Sequence, residues 1–128
     1  MGKKLVVLCD SDVIIKLMRG NAPIQRNLRI IGTPNIALSI ITHAEIYYGA
    51  KKKQIPSIRE KLETFQVCHL TRGISKTFNG LILNYSASHR IKIPDALIAA
   101  IANDYELYTD NKKDFDFIPE IQFYNPKS

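Results

Sequence analysis

The sequence has 128 residues, of which 45% are hydrophobic and 23% are charged, a composition typical of a globular domain rather than of a disordered or fibrous chain. No window approaches the roughly 20 apolar residues of a membrane-spanning helix, so we expect one domain over residues 1–128 and no membrane segment. Eighteen Lys and Arg against twelve Asp and Glu give a net charge of +6, which favours a polyanionic partner if the basic residues share a face.

The chain opens with an apolar run, Leu5–Cys9, that is continuous rather than alternating. This pattern is typical of a central strand covered on both faces. Asp10 follows the run directly and Asp12 comes two residues later, which argues against a signal peptide and favours a cytoplasmic protein. In an open parallel sheet a ligand crevice lies beyond the carboxyl ends of the strands. Asp10 therefore either points into such a crevice or caps the next helix.

Strand-like and helix-like segments alternate along the rest of the chain. The predicted strands are Leu5–Cys9, Ile36–Ser39, Gln66–Leu70, Leu107–Thr109 and Ile121–Tyr124. The predicted helices are Ser11–Arg19, Pro23–Ile31, Ile40–Ala50, Pro56–Phe65, Ser75–His89 and Ile93–Asp104. This alternation predicts an α/β fold with a mainly parallel sheet flanked by helices on both sides. Cys9 and Cys68 lie in apolar segments without metal-ligand spacing, so we expect reduced, buried thiols.

The third predicted helix carries a glutamate among apolar residues. Ile41, Ala44, Glu45 and Tyr48 share one helical face. A glutamate is rarely buried unless it is paired or binds a metal. Glu45 is therefore expected to have a partner, unless the apolar face is tilted and Glu45 lies at its wet edge.

The helix that begins near Pro94 is almost wholly apolar and small, so we expect it to be buried on most sides. Asp95 is its one charged residue before Asp104 and shares a face with Ile98 and Ala99. Burying that carboxylate unpaired would cost several kcal/mol. Asp95 is therefore also expected to have a partner.

Four carboxylates fall at positions that face one rim of the predicted sheet: Asp10, Glu45, Asp95 and Asp114. Each is explicable alone, and the acids after Thr109 are in part simple turn formers. Together they predict a cluster that needs raised pKa values or a bound cation. Oxygen ligands without His or Cys indicate Mg²⁺ or Mn²⁺.

The chain resembles the PIN-domain ribonucleases, and among them the VapC-like toxins of prokaryotic toxin–antitoxin pairs. Four segments carry the resemblance, in the family's order and over nearly the whole chain: LCDSDVII, ITHAEIYYGA, IPDALIAAIA and LYTDNKKDF. The resemblance implies that Asp10, Glu45 and Asp95 are metal-binding catalytic acids, with Asp114 as the fourth. It also implies that the site is lined by Ser11, Asp12, Thr109 and Asn111, where Asp12 replaces the family's more frequent asparagine. Either Asn111 or Asp114 could complete the acidic site.

The implied activity is hydrolysis of RNA phosphodiester bonds with Mg²⁺ or Mn²⁺. Candidates for contact with the RNA backbone are Lys51, Lys52, Lys53, Lys112 and Lys113, although the first three also suit a helix C-terminus without any ligand. The resemblance further implies a cognate antitoxin and a homodimer.

Two other functions remain open at this level. DSDVI also matches the opening motif of haloacid-dehalogenase-type phosphatases, with Asp10 as nucleophile and Asp12 as acid/base, although no clear lysine-bearing motif or terminal acidic pair follows. A PIN-like module that binds RNA or a protein without cleaving is the second, and the intact acids argue against it.

Overall fold

A computed structural model describes residues 6–126. Its sheet contains five strands, in the order β3-β2-β1-β4-β5, and each neighbouring pair is parallel. The strands are β1 (Val7–Cys9), β2 (Ile36–Ser39), β3 (Gln66–Cys68), β4 (Glu106–Tyr108) and β5 (Gln122–Phe123). The prediction of a central first strand is confirmed, while Leu5, where we expected it to begin, lies outside the described residues.

Within residues 6–126, the six α-helices occur in the predicted order along the chain. They are α1 (Ser11–Met18), α2 (Ala22–Ile31), α3 (Ile40–Tyr48), α4 (Ile55–Leu62), α5 (Arg72–His89) and α6 (Ile93–Ala102). Two helix boundaries are shifted by three residues: α4 ends at Leu62 rather than at the predicted Phe65, and α5 starts at Arg72 rather than at the predicted Ser75. Thr71 explains the shift of α5, because its Oγ1 accepts a hydrogen bond from the Ile74 N–H at 3.1 Å and so caps the helix one turn earlier.

The helices cover both faces of the sheet. Val7 and Cys9 point into a core with α1 to α4, while Leu8 between them points into the opposite core with α5 and α6. This alternation buries β1 on both sides, as its continuous apolar sequence predicted. Both cysteines are free and buried, as expected, and burial raises the pKa of the Cys9 thiol well above its usual range. Within residues 6–126, none of the helices has the length and apolar character needed to cross a membrane.

The predicted apolar face of α3 is wrong. Ala44 and Glu45 are exposed, and Tyr48 is 95% exposed. The buried side chains of the helix are Thr42, His43 and Ile46. Ser39 caps this helix: its Oγ accepts a hydrogen bond from the Thr42 N–H at 3.0 Å, and its hydroxyl donates to Thr42 Oγ1 at 3.2 Å. Because these polar groups satisfy each other, a partly polar face can be buried.

Candidate functional site

The candidate site is built on the carboxyl ends of two neighbouring strands. Cys9 of β1 lies opposite Tyr108 of β4, so the residues that follow them, Asp10 and Thr109, also lie side by side. The Asp10 N–H donates to the Tyr108 carbonyl oxygen at 2.9 Å, and the Thr109 hydroxyl donates to Asp10 Oδ2 at 3.1 Å. Parallel pairing therefore fixes the Asp10 carboxylate at the rim of the sheet.

Asp10 serves as both a helix cap and a buried acid. Its Oδ1 accepts a hydrogen bond from the Ser11 N–H at 2.8 Å, at the start of α1. Its side chain is only 9% exposed. Burial, with the nearby charges of Asp12 and Glu45, raises the pKa of Asp10 to about 6, against the lowering effect of its two hydrogen bonds. The carboxylate is thus held in place at an electrostatic cost.

Asp12 organises the loop that follows β4. Its Oδ2 accepts hydrogen bonds from the Asn111 side-chain amide at 2.9 Å and from the Asp110 N–H at 3.1 Å, while Oδ1 accepts from the Val13 N–H at 2.7 Å. Burial raises the pKa of Asp12. Since both of its oxygens are occupied by N–H donors, Asp12 positions the loop that carries Asn111.

Thr109 joins this loop to Asp10. Its hydroxyl oxygen also accepts a hydrogen bond from the Asn111 N–H at 3.1 Å. Asp110 forms an ion pair with Lys16 of α1. Sequence reasoning missed this pair because 94 positions separate the two residues, and no local pattern links them.

Asp95 lies half-buried in the first turn of α6. Burial raises its pKa, and the charges of Asp114, Glu45 and Asp12 add to that effect, while Lys92 opposes it. Asp114 is half-buried in the short 3-10 turn Lys112–Asp114, and Glu45 is exposed on α3, from where its charge acts on both Asp10 and Asp95. Asp10, Glu45, Asp95 and Asp114 are therefore electrostatically connected, although they come from four segments.

These acids are close enough to repel one another but are not packed as a preformed chelate. Within residues 6–126, no three His, Cys, Asp or Glu side chains have an arrangement that could hold a metal ion. The donor set nevertheless fits a hard divalent cation, because it consists of carboxylate oxygens. Burial is the main cause of the raised pKa values of Asp10 and Asp95, and a cation would stabilise their charged forms and offset the repulsion from neighbouring acids that adds to it.

The predicted RNA-backbone lysines are all exposed. Lys51 precedes a 3-10 turn, Lys52–Gln54, that leads into α4. Lys112 differs from the others because its Nζ donates to Asn125 Oδ1 at 2.9 Å and lies 5.6 Å from the centre of the Phe123 ring. Lys113 follows it in the same turn as Asp114.

Comparisons with known proteins agree with this architecture. The family model described as the PIN domain matches residues 7–112. A chain of a toxin–antitoxin complex from Klebsiella pneumoniae is 33% identical, with a TM-score of 0.78, and the match covers 95% of this chain and 98% of that one. A comparison with curated protein sequences gave no match.

Two more distant structures show the same fold. A chain of VapBC2 from Rickettsia felis, solved bound to a DNA fragment from its promoter, is 22% identical, with a TM-score of 0.82 and coverage of 95% of this chain and 99% of that chain. A chain of FitAcB from Neisseria gonorrhoeae is 24% identical, with a TM-score of 0.77 and coverage of 94% and 98%.

Proposed function

This chain belongs to the PIN domain family, and from that membership we propose that it is a metal-dependent ribonuclease that acts as the toxin of a toxin–antitoxin pair. The observation that carries the proposal is the rim of acids, in which Asp10 is buried, fixed by two hydrogen bonds and held at a raised pKa by burial and neighbouring acids. A fold that retains such repulsion without a cation loses stability. Binding of a cation would offset this repulsion, which explains why the acids lie together.

We assign the metal-binding role to Asp10, Glu45, Asp95 and Asp114, with Mg²⁺ or Mn²⁺ as the ion. A divalent cation, when bound there, would offset negative charge on the scissile phosphate and on the leaving oxygen. Hydrogen bonds from the Ser11 N–H and the Thr109 hydroxyl hold both oxygens of Asp10 in place. Glu45 is exposed and therefore free to orient the attacking water and accept its proton.

The residues around the acids have positioning roles. Asp12 and Thr109 hold the Asn111 side chain and backbone, which places the Asn111 amide at the edge of the site. This arrangement does not favour the phosphatase alternative. There Asp12 would have to deliver a proton, whereas here its oxygens accept hydrogen bonds from three N–H groups.

A protein partner would explain exposed apolar groups beside the acids. Tyr48 is 95% exposed three residues after Glu45, and Ile93 is 66% exposed two residues before Asp95. Exposed apolar surface of this kind suits a protein interface. We propose that a cognate antitoxin covers it, as expected for a chain similar to one in a toxin–antitoxin complex.

We also propose that residues 1–128 form a single PIN-like domain that associates as a homodimer. We place its action in the cytoplasm, where both an RNA substrate and two free cysteines would be at home. Sedimentation of the purified chain tests the dimer directly.

The experiment that tests the activity is cleavage of total RNA by the full chain with Mg²⁺ or Mn²⁺, beside EDTA and the variants Asp10→Asn and Asp104→Asn. Asp104 follows the last turn of α6, nine residues and about 14 Å along the helix direction from Asp95. We expect EDTA and Asp10→Asn to abolish cleavage and Asp104→Asn to preserve it. Hydrolysis of a phosphomonoester with no RNA cleavage would instead establish a phosphatase, and RNA binding without cleavage would establish a binding module.

A further inference from the structure

A groove of about 520 Å³ lies between α1, α3 and α4, and Glu45 is one of its lining residues. We call it the α4 groove. Its volume falls within the range of sites that hold a drug-sized molecule, and a nucleotide is a ligand of that size. Glu45 is also one of the four proposed metal-binding acids, so a molecule in the α4 groove would lie next to the substrate bound at those acids.

The floor of the α4 groove is apolar. Ile15 and Met18 of α1 and Ile58 of α4 line it, and all three are only partly buried against the core of that face. The flat face of a base can pack on apolar side chains of this kind and is removed from water when it does. The floor is therefore suited to an unpaired base.

The rim of the α4 groove is basic. Three exposed basic residues line the groove: Arg19 at the end of α1, Lys53 just before α4, and Lys61 in the last turn of α4. In the part of the chain that the structure describes, the side chains of these three residues form no ion pair. Glu45 is the one acidic residue in the groove lining. The positive charges of the rim are thus available to an anionic ligand.

We propose that the α4 groove binds the RNA strand next to the scissile bond, with phosphates on Arg19, Lys53 and Lys61 and a base on the apolar floor. The proposal rests on the proposed ribonuclease function and identifies where its substrate binds outside the acids. Apolar contacts for bases beside cations for phosphates are how proteins bind single strands. RNA is favoured over an acidic peptide because Glu45, one of the proposed metal-binding acids, also lines the groove, so that a strand bound at the acids extends into it.

The test measures the affinity of the full-length Asp10→Asn protein, which is expected not to cleave, for a fluorescein-labelled single-stranded RNA of about ten nucleotides. In that background, Lys53→Gln/Lys61→Gln is compared with Arg72→Gln/Lys76→Gln. The control removes the same charge from exposed positions on α5, which packs on the opposite face of the sheet. Arg19→Gln is then added to the groove variant.

The groove double variant should bind RNA on the order of tenfold more weakly than the control, and Arg19→Gln should weaken it further. The affinity of the groove double variant should also depend less on salt. The slope of log affinity against log salt should be smaller in magnitude by roughly 1.4, since each contact to a single strand contributes roughly 0.7. RNA should also bind more tightly than an abasic phosphodiester oligomer of the same length, because the oligomer cannot use the floor.

Equal losses in the groove and control variants would overturn the proposal, and equal affinity for RNA and the abasic oligomer would overturn the role of the floor. Polyglutamate that binds as tightly as RNA and depends equally on Lys53 and Lys61 would assign the groove to an acidic protein. A change of oligomeric state with unchanged RNA affinity would assign it to a second copy of the chain. If the unsubstituted protein cleaves RNA while the two double variants bind RNA equally, the assignment of the α4 groove fails but the proposed ribonuclease function stands. If the unsubstituted protein neither cleaves nor binds RNA, the proposed function fails as well.

Discussion

Replacing Asp10 with asparagine is expected to stabilise the protein in EDTA at pH 8, even though it removes a carboxylate from the proposed catalytic site. The structure raises the pKa of Asp10 from 3.8 to about 6, mainly through burial. A pKa that is higher in the folded state means that the folded protein disfavours the charged form. Ionisation of Asp10 therefore lowers stability as the pH rises from about 4 to about 6.

The size of the effect follows from two opposing contributions. A shift of roughly two units corresponds to about 3 kcal/mol of destabilisation once the pH is above 6. Asparagine removes the buried charge and can still accept the hydrogen bond from the Ser11 N–H. The amide nitrogen that replaces Oδ2 cannot accept the hydrogen bond from the Thr109 hydroxyl, and the loss of this bond costs about 1 kcal/mol. The net gain at pH 8 is therefore about 2 kcal/mol.

Urea denaturation of the wild-type protein and Asp10→Asn in EDTA, at pH 8 and pH 4, measures this difference. The advantage of the variant should disappear at pH 4, where the folded wild-type protein carries a neutral Asp10 and the lost Thr109 bond dominates. A variant that is at least 1 kcal/mol less stable than wild type at pH 8 would refute the reasoning. The Asp10 charge would then stabilise the start of α1 more than burial and its acidic neighbours destabilise it.

Three further measurements test other parts of the structure. Mg²⁺ or Mn²⁺ should raise the melting temperature of the wild-type protein, because a ligand at 100 times its dissociation constant adds about 2.7 kcal/mol to the free energy of unfolding. Asp95→Asn should abolish this response without unfolding the protein. An unchanged wild-type melting curve at millimolar metal would argue strongly against the cation site. Ile46→Ala should cost about 2–4 kcal/mol and Tyr48→Ala less than about 0.5 kcal/mol in urea denaturation, since Ile46 is buried and Tyr48 is 95% exposed; the reverse order would restore the helix face predicted from the sequence. Burial lowers the pKa of His43, and its Nε2 has no hydrogen-bond partner within the described residues, so protonation of the ring destabilises the fold. His43→Leu should therefore gain stability relative to wild type as the pH falls below the usual histidine range. A pH-independent difference between the two proteins would show that His43 is not buried as a neutral ring.

The elements of this fold were predictable because their signals are local. Continuous apolar runs marked the buried strands, and Pro94 and Gly32 marked a helix start and a helix end. The same local reading failed on α3, where apolar residues suggested a buried face that includes Glu45 and Tyr48. Which face of α3 meets the core depends on how the helix packs on the rest of the fold, and the hydrogen bonds between Ser39 and Thr42 allow the partly polar face to be the buried one.

The sequence by itself determined which acids stand at the carboxyl ends of strands and helix starts, since each position depends on residues within one segment. Only the tertiary structure decided how those acids interact. Asp10 meets Thr109, and Asp12 meets Asn111, because β1 and β4 pair in parallel across 99 positions of sequence. The α4 groove likewise needs α1, α3 and α4 together. Contacts between distant segments depend on strand order and helix packing, which no local pattern of residues encodes.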